Sequence, residues 1–418
     1  MKDTLDYLYS LRSQGSSFGL ERMSAFASVL GRPDESYPVV HVAGTNGKGS
    51  VCSMLDSIYR ANGYKVGLFT SPHLVELGER VRVNGKPISP GEIQSMTVDL
   101  RRMAARLEKK NPGLHPTFFE FMTAMAFVKF KEAEVDLAIV ETGLGGRLDS
   151  TNIVIPELSV ITTVSRDHCS ILGHEIEQIA REKAGIVKPG KPVLTGWLKP
   201  VANQVVEQVA RELEAPFETM ASSGLGEDEL PETNLHGAYQ RRNAALAERA
   251  ADLLSSAFPI EPKKTVRGLG QVRLEGRWQE IPGPPRIILD ACHNAEGARA
   301  LKGNLAILDR KVEVWFGSLG EDRAGEVLEQ VLPFADSLRL FQPRQPRACS
   351  LDALLEMIPQ DFRGTVSKGE AVKVSEYLAS EGDDRLILVT GSLYLIGEIL
   401  GFVKNSREGW GSDLQDIT

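Results

Sequence analysis

Gly44-Thr45-Asn46-Gly47-Lys48-Gly49-Ser50 follows the apolar run Val39-Val40-His41-Val42-Ala43 and has the parts of a phosphate cradle. Glycines free backbone N–H groups to face an anion, Lys48 supplies a point charge, and Ser50 supplies a hydroxyl for Mg²⁺. A helix opening after the loop turns its positive end to the phosphates. The common form of such a loop puts Ser or Thr directly after the lysine. Here Gly49 intervenes, and the first glycine of that form falls on Val42. A Gly-rich turn without a ligand is the alternative; Gly, Lys and Ser at these offsets argue against it.

Further groups end other apolar runs. Glu141, followed by Thr142-Gly143-Leu144-Gly145-Gly146-Arg147-Leu148-Asp149, closes Val135–Val140. An acid there suits a Mg²⁺ ligand, and the glycines let a ligand approach the backbone; a helix cap or a surface charge is the other reading. Asp167-His168 follows Val160–Val164, and Thr70-Ser71-Pro72-His73 follows Val66–Phe69. His168 is as easily a satisfied structural histidine as a ligand, and the Thr70–His73 segment reads first as a turn. Lys183, in Glu182-Lys183-Ala184-Gly185, reads as a solvated helix face unless burial says otherwise. Asp290-Ala291-Cys292-His293-Asn294 and Gly391-Ser392-Leu393-Tyr394 take ligand positions at strand ends in the last third of the chain.

These positions require strands alternating with helices. Strands are expected over Val39–Val42, Val66–Thr70, Leu137–Val140 and Val160–Val164. Helices are expected over Ser50–Ala61, Pro90–Lys109, Thr117–Lys131 and Glu175–Ala184, with Asn62-Gly63 as a helix stop. Leu225–Glu232 reads as an acidic surface excursion, His236–Ala257 as a helix, and Gly276–Pro285 as a linker. A second series has strands over Arg286–Leu289, Val312–Phe316, Ser337–Phe341 and Leu386–Thr390, with helices over Glu296–Leu308 and Glu370–Ala379. The pattern is α/β: a mainly parallel sheet domain with a phosphate loop over 1–283, then a smaller Rossmann-like α/β domain over 284–418.

A chain of 418 residues with 25% charged residues and a net charge of −8 is an ordinary two-domain globular protein with no basic block for nucleic acid. Four scattered cysteines without a CxxC pair read as free thiols in a reducing compartment. No signal peptide or membrane-length apolar run is visible, so a cytoplasmic, soluble monomer acting on small molecules is the expectation.

The stretches HVAGTNGKGS, TSPHL, TFFEFMTAMAF, VETGLGGRLDSTN, SRDHCSILGHEIEQIAREKAGIVK, GRWQ, LDACHN and TGSLYLIGE occur in that order along nearly the whole chain. Together they resemble the folylpolyglutamate synthase and dihydrofolate synthase family, within the Mur-ligase-type ATP-dependent amide ligases. The resemblance implies that the Gly44–Ser50 loop, through Gly47, Lys48, Gly49 and Ser50, holds the ATP phosphates. Asn243 would contact the nucleotide, Arg277 would reach the phosphates across the domain junction, and Asp290 would approach the ribose. Ser50, Ser71, Glu141 and His168 would serve two Mg²⁺ sites. Lys183 would be carbamylated to support the second, and a K⁺ site is also open. His293 would lie on the glutamate or acyl-phosphate side. Gly19, Leu20, Glu21 and Arg22, Thr117, Phe118, Phe119 and Glu120, and Leu148, Asp149 and Ser150 would line the pterin side.

The chain departs from the family pattern in three places. Ser16-Ser17-Phe18 stand where an acidic residue is usual. Gly320-Glu321-Asp322-Arg323 replaces a Lys-Asp-Lys-Asp pattern. Cys292 and Ala295 vary the loop around His293. The activity implied is addition of L-glutamate to dihydropteroate and to reduced folates through an acyl phosphate. Folylpolyglutamate synthesis alone, or another Mur-type ligation, is the alternative. With 43 residues before Gly44, the separate N-terminal domain of cell-wall precursor ligases is not expected. A nucleotide-hydrolysing switch would need no second ligand-binding domain.

Overall fold

The computed structural model describes residues 2–12, 19–379 and 384–404; the Ser16–Phe18 departure lies outside them. Among the described residues, fourteen strands form two sheets. The first holds β1 (Val39–Ala43), β2 (Val66–Phe69), β3 (Val81–Val83), β4 (Lys86–Pro87), β5 (Leu137–Glu141), β6 (Leu158–Ile161), β7 (Val193–Thr195) and β8 (Phe217–Thr219). Their order is β4-β3-β2-β5-β1-β6-β7-β8, parallel except that β3 pairs antiparallel with both β2 and β4. The second holds β9 (Gln279–Ile281), β10 (Arg286–Asp290), β11 (Val312–Phe316), β12 (Ala335–Leu340), β13 (Thr365–Lys368) and β14 (Leu386–Thr390). Its order is β13-β12-β11-β14-β10-β9, with β9 alone antiparallel.

β1 is buried along its whole length between β5 and β6, so both faces must be apolar. The chain leaves β1 toward β2 on one side, while β6 lies on the other. Loops at the carboxyl ends of such strands diverge and leave a crevice. One face of the sheet buries Phe121, Phe127 and Phe130 from the helix Phe118–Glu132. The other buries Met54, Leu55 and Ile58 from Lys48–Ala61, the helix that follows the phosphate loop.

That helix is fixed from outside by Pro262–Leu269. Ser57 Oγ donates to the Gly268 carbonyl at 2.7 Å, and a Cβ on Gly268 would lie 2.8 Å from the Ile58 Cα. Backbone atoms cannot rotate away, so Gly268→Ala forces the two helices apart. A loss of about 1–3 kcal/mol is expected, less the small helix-propensity gain of alanine. Urea unfolding reads it; an unchanged midpoint would contradict the crossing.

Three expectations are corrected. β6 ends at Ile161 rather than Val164: Thr162 N–H still donates to the Ala43 carbonyl, but the Thr162 hydroxyl and the Thr163 carbonyl turn to hold the phosphate loop. Gly276–Pro285 is not all linker. β9 lies inside it and pairs with β10, so the second sheet begins before Pro284. The helix expected from Glu370 is a short 3₁₀ turn (Ala371–Lys373) followed by Val374–Ala379. No described helix is long and apolar enough to cross a membrane.

Candidate active site

A cavity of about 970 Å³ opens between the carboxyl ends of the two sheets. Its wall carries the whole Gly44–Ser50 loop, Ser71, Glu141, His168 and Lys183 from the first sheet's side, and Arg277, His293, Ser318, Arg323 and Ser392 from the second. Gly47 caps the helix Lys48–Ala61 with φ +83°, and a Cβ there would lie 2.7 Å from Asn243 Oδ1. Only glycine suits both conditions. Asn243 is buried behind the loop and does not reach the wall.

The loop is tied to the end of β6. Thr45 N–H donates to the Thr163 carbonyl at 2.8 Å, and Thr162 Oγ1 donates to the Asn46 carbonyl at 2.6 Å. Lys48 Nζ folds over its own loop, donating to the Gly44 carbonyl at 3.0 Å. Its charge therefore sits over the loop, while the Thr45 and Asn46 N–H groups are taken by the Thr163 carbonyl and hydroxyl.

Glu141 ends β5 beside the loop and is buried; it accepts the Ser71 backbone N–H at 3.2 Å. Burial raises its carboxyl to about 7, against the pull of Lys48. A carboxylate in this state gains from a hard cation. No described group of three or more His, Cys, Asp and Glu side chains could hold a metal alone. A cation bound here would draw on hydroxyls such as Ser50 and Ser71 beside Glu141, a donor set that would suit Mg²⁺ with waters and phosphates rather than a protein cage. Burial also lowers the His168 imidazole to about 4, keeping it neutral.

Lys183 is only 3% exposed, not on a solvated helix face. Burial, with repulsion from Lys48, lowers its ammonium to about 7. The glycine-rich loop after β5 sets its position. Arg147 N–H donates to the Glu182 carbonyl at 2.7 Å, and a Cβ on Gly146 would lie 3.0 Å from the Lys183 carbonyl oxygen.

The Mur ligase middle domain model matches residues 42–247. Over 95% of its length the chain is 34% identical to the dihydrofolate synthase/folylpolyglutamate synthase of Bacillus subtilis, covering 98% of that protein. The chain belongs to the dihydrofolate synthase/folylpolyglutamate synthase family. It is an ATP-dependent ligase, and its fold agrees with solved members. A folylpolyglutamate synthase from Thermotoga maritima matches with a TM-score of 0.85 at 31% identity, over 98% of this chain and 99% of that one. Escherichia coli FolC in complex with DHPP and ADP matches with a TM-score of 0.83 at 31% identity, over 97% of each chain.

The residues that the family resemblance assigns to the pterin side divide. Gly19, Thr117, Phe118, Phe119, Glu120, Leu148, Asp149 and Ser150 line the cavity, whereas Leu20, Glu21 and Arg22 do not. Arg22 is instead 3.4 Å from Glu120, whose carboxylate also takes the Thr117 N–H and hydroxyl at the start of the Phe118–Glu132 helix. The Asp149 carboxylate is engaged by Thr151 and by the Leu144 N–H at 2.9 Å. Asp290 lies off the wall, its two oxygens accepting the Trp278 and Cys292 N–H groups at 3.0 Å each.

The main miss of the sequence reading is Asp167 itself. Its carboxylate accepts from Asn294 Nδ2 at 3.1 Å and from Arg323 Nη2 at 2.5 Å, with His293 Nε2 at 3.8 Å. Burial raises this carboxyl, but His293, His168, Arg323 and Asn294 outweigh it and hold it below the usual range. The available signal was its place beside His168 at a strand end.

Proposed function

We propose that the chain joins L-glutamate to dihydropteroate and to the γ-carboxylate of reduced folates. The single cavity shared by both sheets carries this reading. It sets a phosphate loop, an apolar wall with Phe118 and Phe119, and polar groups of the second sheet around one space. The aromatic rings suit a flat heterocycle. Residues up to the start of β9 would bind ATP and the folate, and those from Gln279 on would bind the amino acid.

The loop N–H groups and Lys48 would hold the transferring phosphoryl against the substrate carboxylate. The carboxylate oxygen attacks the γ-phosphorus and ADP leaves, giving an acyl phosphate. The glutamate amine then attacks the carbonyl carbon, the C–O bond to phosphate breaks, and the amine proton is lost to a base or water. Ser50, Ser71, Glu141 and His168 would hold Mg²⁺, which supplies charge neutralisation at the phosphates. Arg277 and His293, from the second side of the cavity, would cover the acyl phosphate and keep water from it. Work by a monomer, in the cytoplasm, without nucleic acid or membrane, belongs to the same reading.

ADP release with Mg·ATP and L-glutamate, with dihydropteroate or tetrahydrofolate added separately, tests it. Mass spectrometry should show each acceptor gaining glutamate. Turnover with tetrahydrofolate alone would reduce the reading to polyglutamate synthesis, and turnover with neither would overturn it.

A further inference from the structure

The phosphate loop is gripped by the second domain as well as by β6. Asn46 Nδ2 donates to Glu296 Oε2 at 2.5 Å and to Asn294 Oδ1 at 3.3 Å, and Asn46 Oδ1 accepts from Asn294 Nδ2 at 3.0 Å. Glu296 Oε2 also takes the Ser165 hydroxyl at 2.9 Å and the Thr163 hydroxyl at 3.4 Å. Ser165 in turn donates its backbone N–H to Thr45 Oγ1 at 3.0 Å. One carboxylate oxygen of the second domain therefore meets three donors from the two strand ends that shape the loop.

Nothing local requires this. Asn46 and Glu296 are 250 positions apart, and the contacts exist only while the two domains are together. Glu296 lies in the first turn of the helix Ala295–Ala306, where a negative charge is favoured. That helix is already capped by Asn294 Oδ1, which accepts the Gly297 N–H at 2.9 Å, so its start does not depend on Glu296. An acceptor-only carboxylate suits three converging donors, and the neutral amide of glutamine would serve them less well.

We infer that Glu296 is a positioning residue that couples domain closure to the phosphate loop through Asn46 and Ser165. The inference rests on the ligase reading above. With the domains together, the loop and its lysine are held in the geometry for phosphoryl transfer, and the acyl phosphate forms only behind a closed cavity. Without Glu296 the loop keeps only its ties to β6, closure no longer acts on it, and phosphoryl transfer can proceed before the cavity is closed. Water then attacks the acyl phosphate at the carbonyl carbon, expels phosphate and returns the carboxylate, and ADP accumulates without amide.

The test measures ADP and amide product together in wild type, Glu296→Ala, Glu296→Gln, Asn46→Ala and the Glu296→Ala/Asn46→Ala double variant. Wild type should release about one ADP per amide formed. Glu296→Ala is expected to slow amide formation at least tenfold and to raise the ADP-to-amide ratio above about two, with Glu296→Gln between it and wild type. Asn46→Ala should reproduce the raised ratio, and the double variant should be little worse than either single one. A purely structural role would lower the thermal midpoint and leave the ratio at one, which overturns the inference. Additive losses in the double variant overturn it as well. Should Glu296→Ala fail to fold, Glu296→Gln and Asn46→Ala decide by the same ratio. A wild type that makes no amide refutes the ligase reading instead, so the two failures are distinguishable.

Discussion

Lys48→Ala is expected to reduce acceptor-dependent ADP release by about 10²–10³-fold, the cost of removing one preorganised charge from a phosphoryl-transfer site. Lys48 is the first residue of the helix after the loop, and its ammonium is held at 3.0 Å from the Gly44 carbonyl. The backbone cradle remains in the variant, so nucleotide affinity should fall less than turnover. The loss should therefore appear mainly in kcat, as for a contact that strengthens in the transition state. Lys48→Arg should not restore the rate, because a planar fork on a longer stem cannot occupy the place of a compact ammonium. The thermal midpoint should stay close to wild type, since the loop's ties to Thr162 and Thr163 do not involve this side chain. Loss of less than about threefold would remove Lys48 from the reaction.

The phosphate loop was legible because everything it needs is contiguous: a buried strand, glycines, a lysine and a helix within a dozen residues. The latch around Glu296 was not. Its partners lie 131 to 250 positions away, and Asn, Ser and Thr at loop positions carry no pattern that distinguishes a domain contact from an ordinary turn. The short strands were hidden for a related reason. β13 is four residues long and exposed throughout, so no alternation of apolar and polar residues marks it. β9 sits among prolines that read as linker, and it forms only because β10 offers an edge.

Acids at strand ends show where residue type stops being informative. Glu141, Asp149 and Asp290 all stand in glycine-rich or turn-like contexts near a sheet's carboxyl edge. Asp290 spends both oxygens on backbone N–H groups and lies off the wall, and Asp149, on the wall, is likewise bound by Thr151 and Leu144, so both serve the local backbone. Glu141 accepts from Ser71 and keeps acceptor capacity toward the loop. Only the placement of neighbouring N–H groups separates the two roles, and that placement is tertiary.

Lys183 supplies the second large effect. Its amine is expected to add to CO₂, forming an N–C bond and releasing a proton, so that a buried cation becomes an anionic oxygen ligand. Burial favours the reaction at its first requirement, a neutral amine. An ammonium held near 7 rather than in the usual lysine range is largely deprotonated at pH 8. The sign follows: lowering the pH from 8 to 6 passes below that value and cuts the neutral fraction about tenfold. The adduct should fall with it. Lys183→Ala leaves the cavity with neither cation nor carbamate, and a loss of about 10²-fold in ligation is expected, in line with removing support for a metal. Wild-type protein in ¹³C-bicarbonate should show a carbamate carbon by NMR that Lys183→Ala lacks, and turnover should drop in CO₂-depleted buffer. Full activity of Lys183→Ala, or an NMR spectrum without the adduct at pH 8, would leave Lys183 as a packing residue beneath the phosphate site.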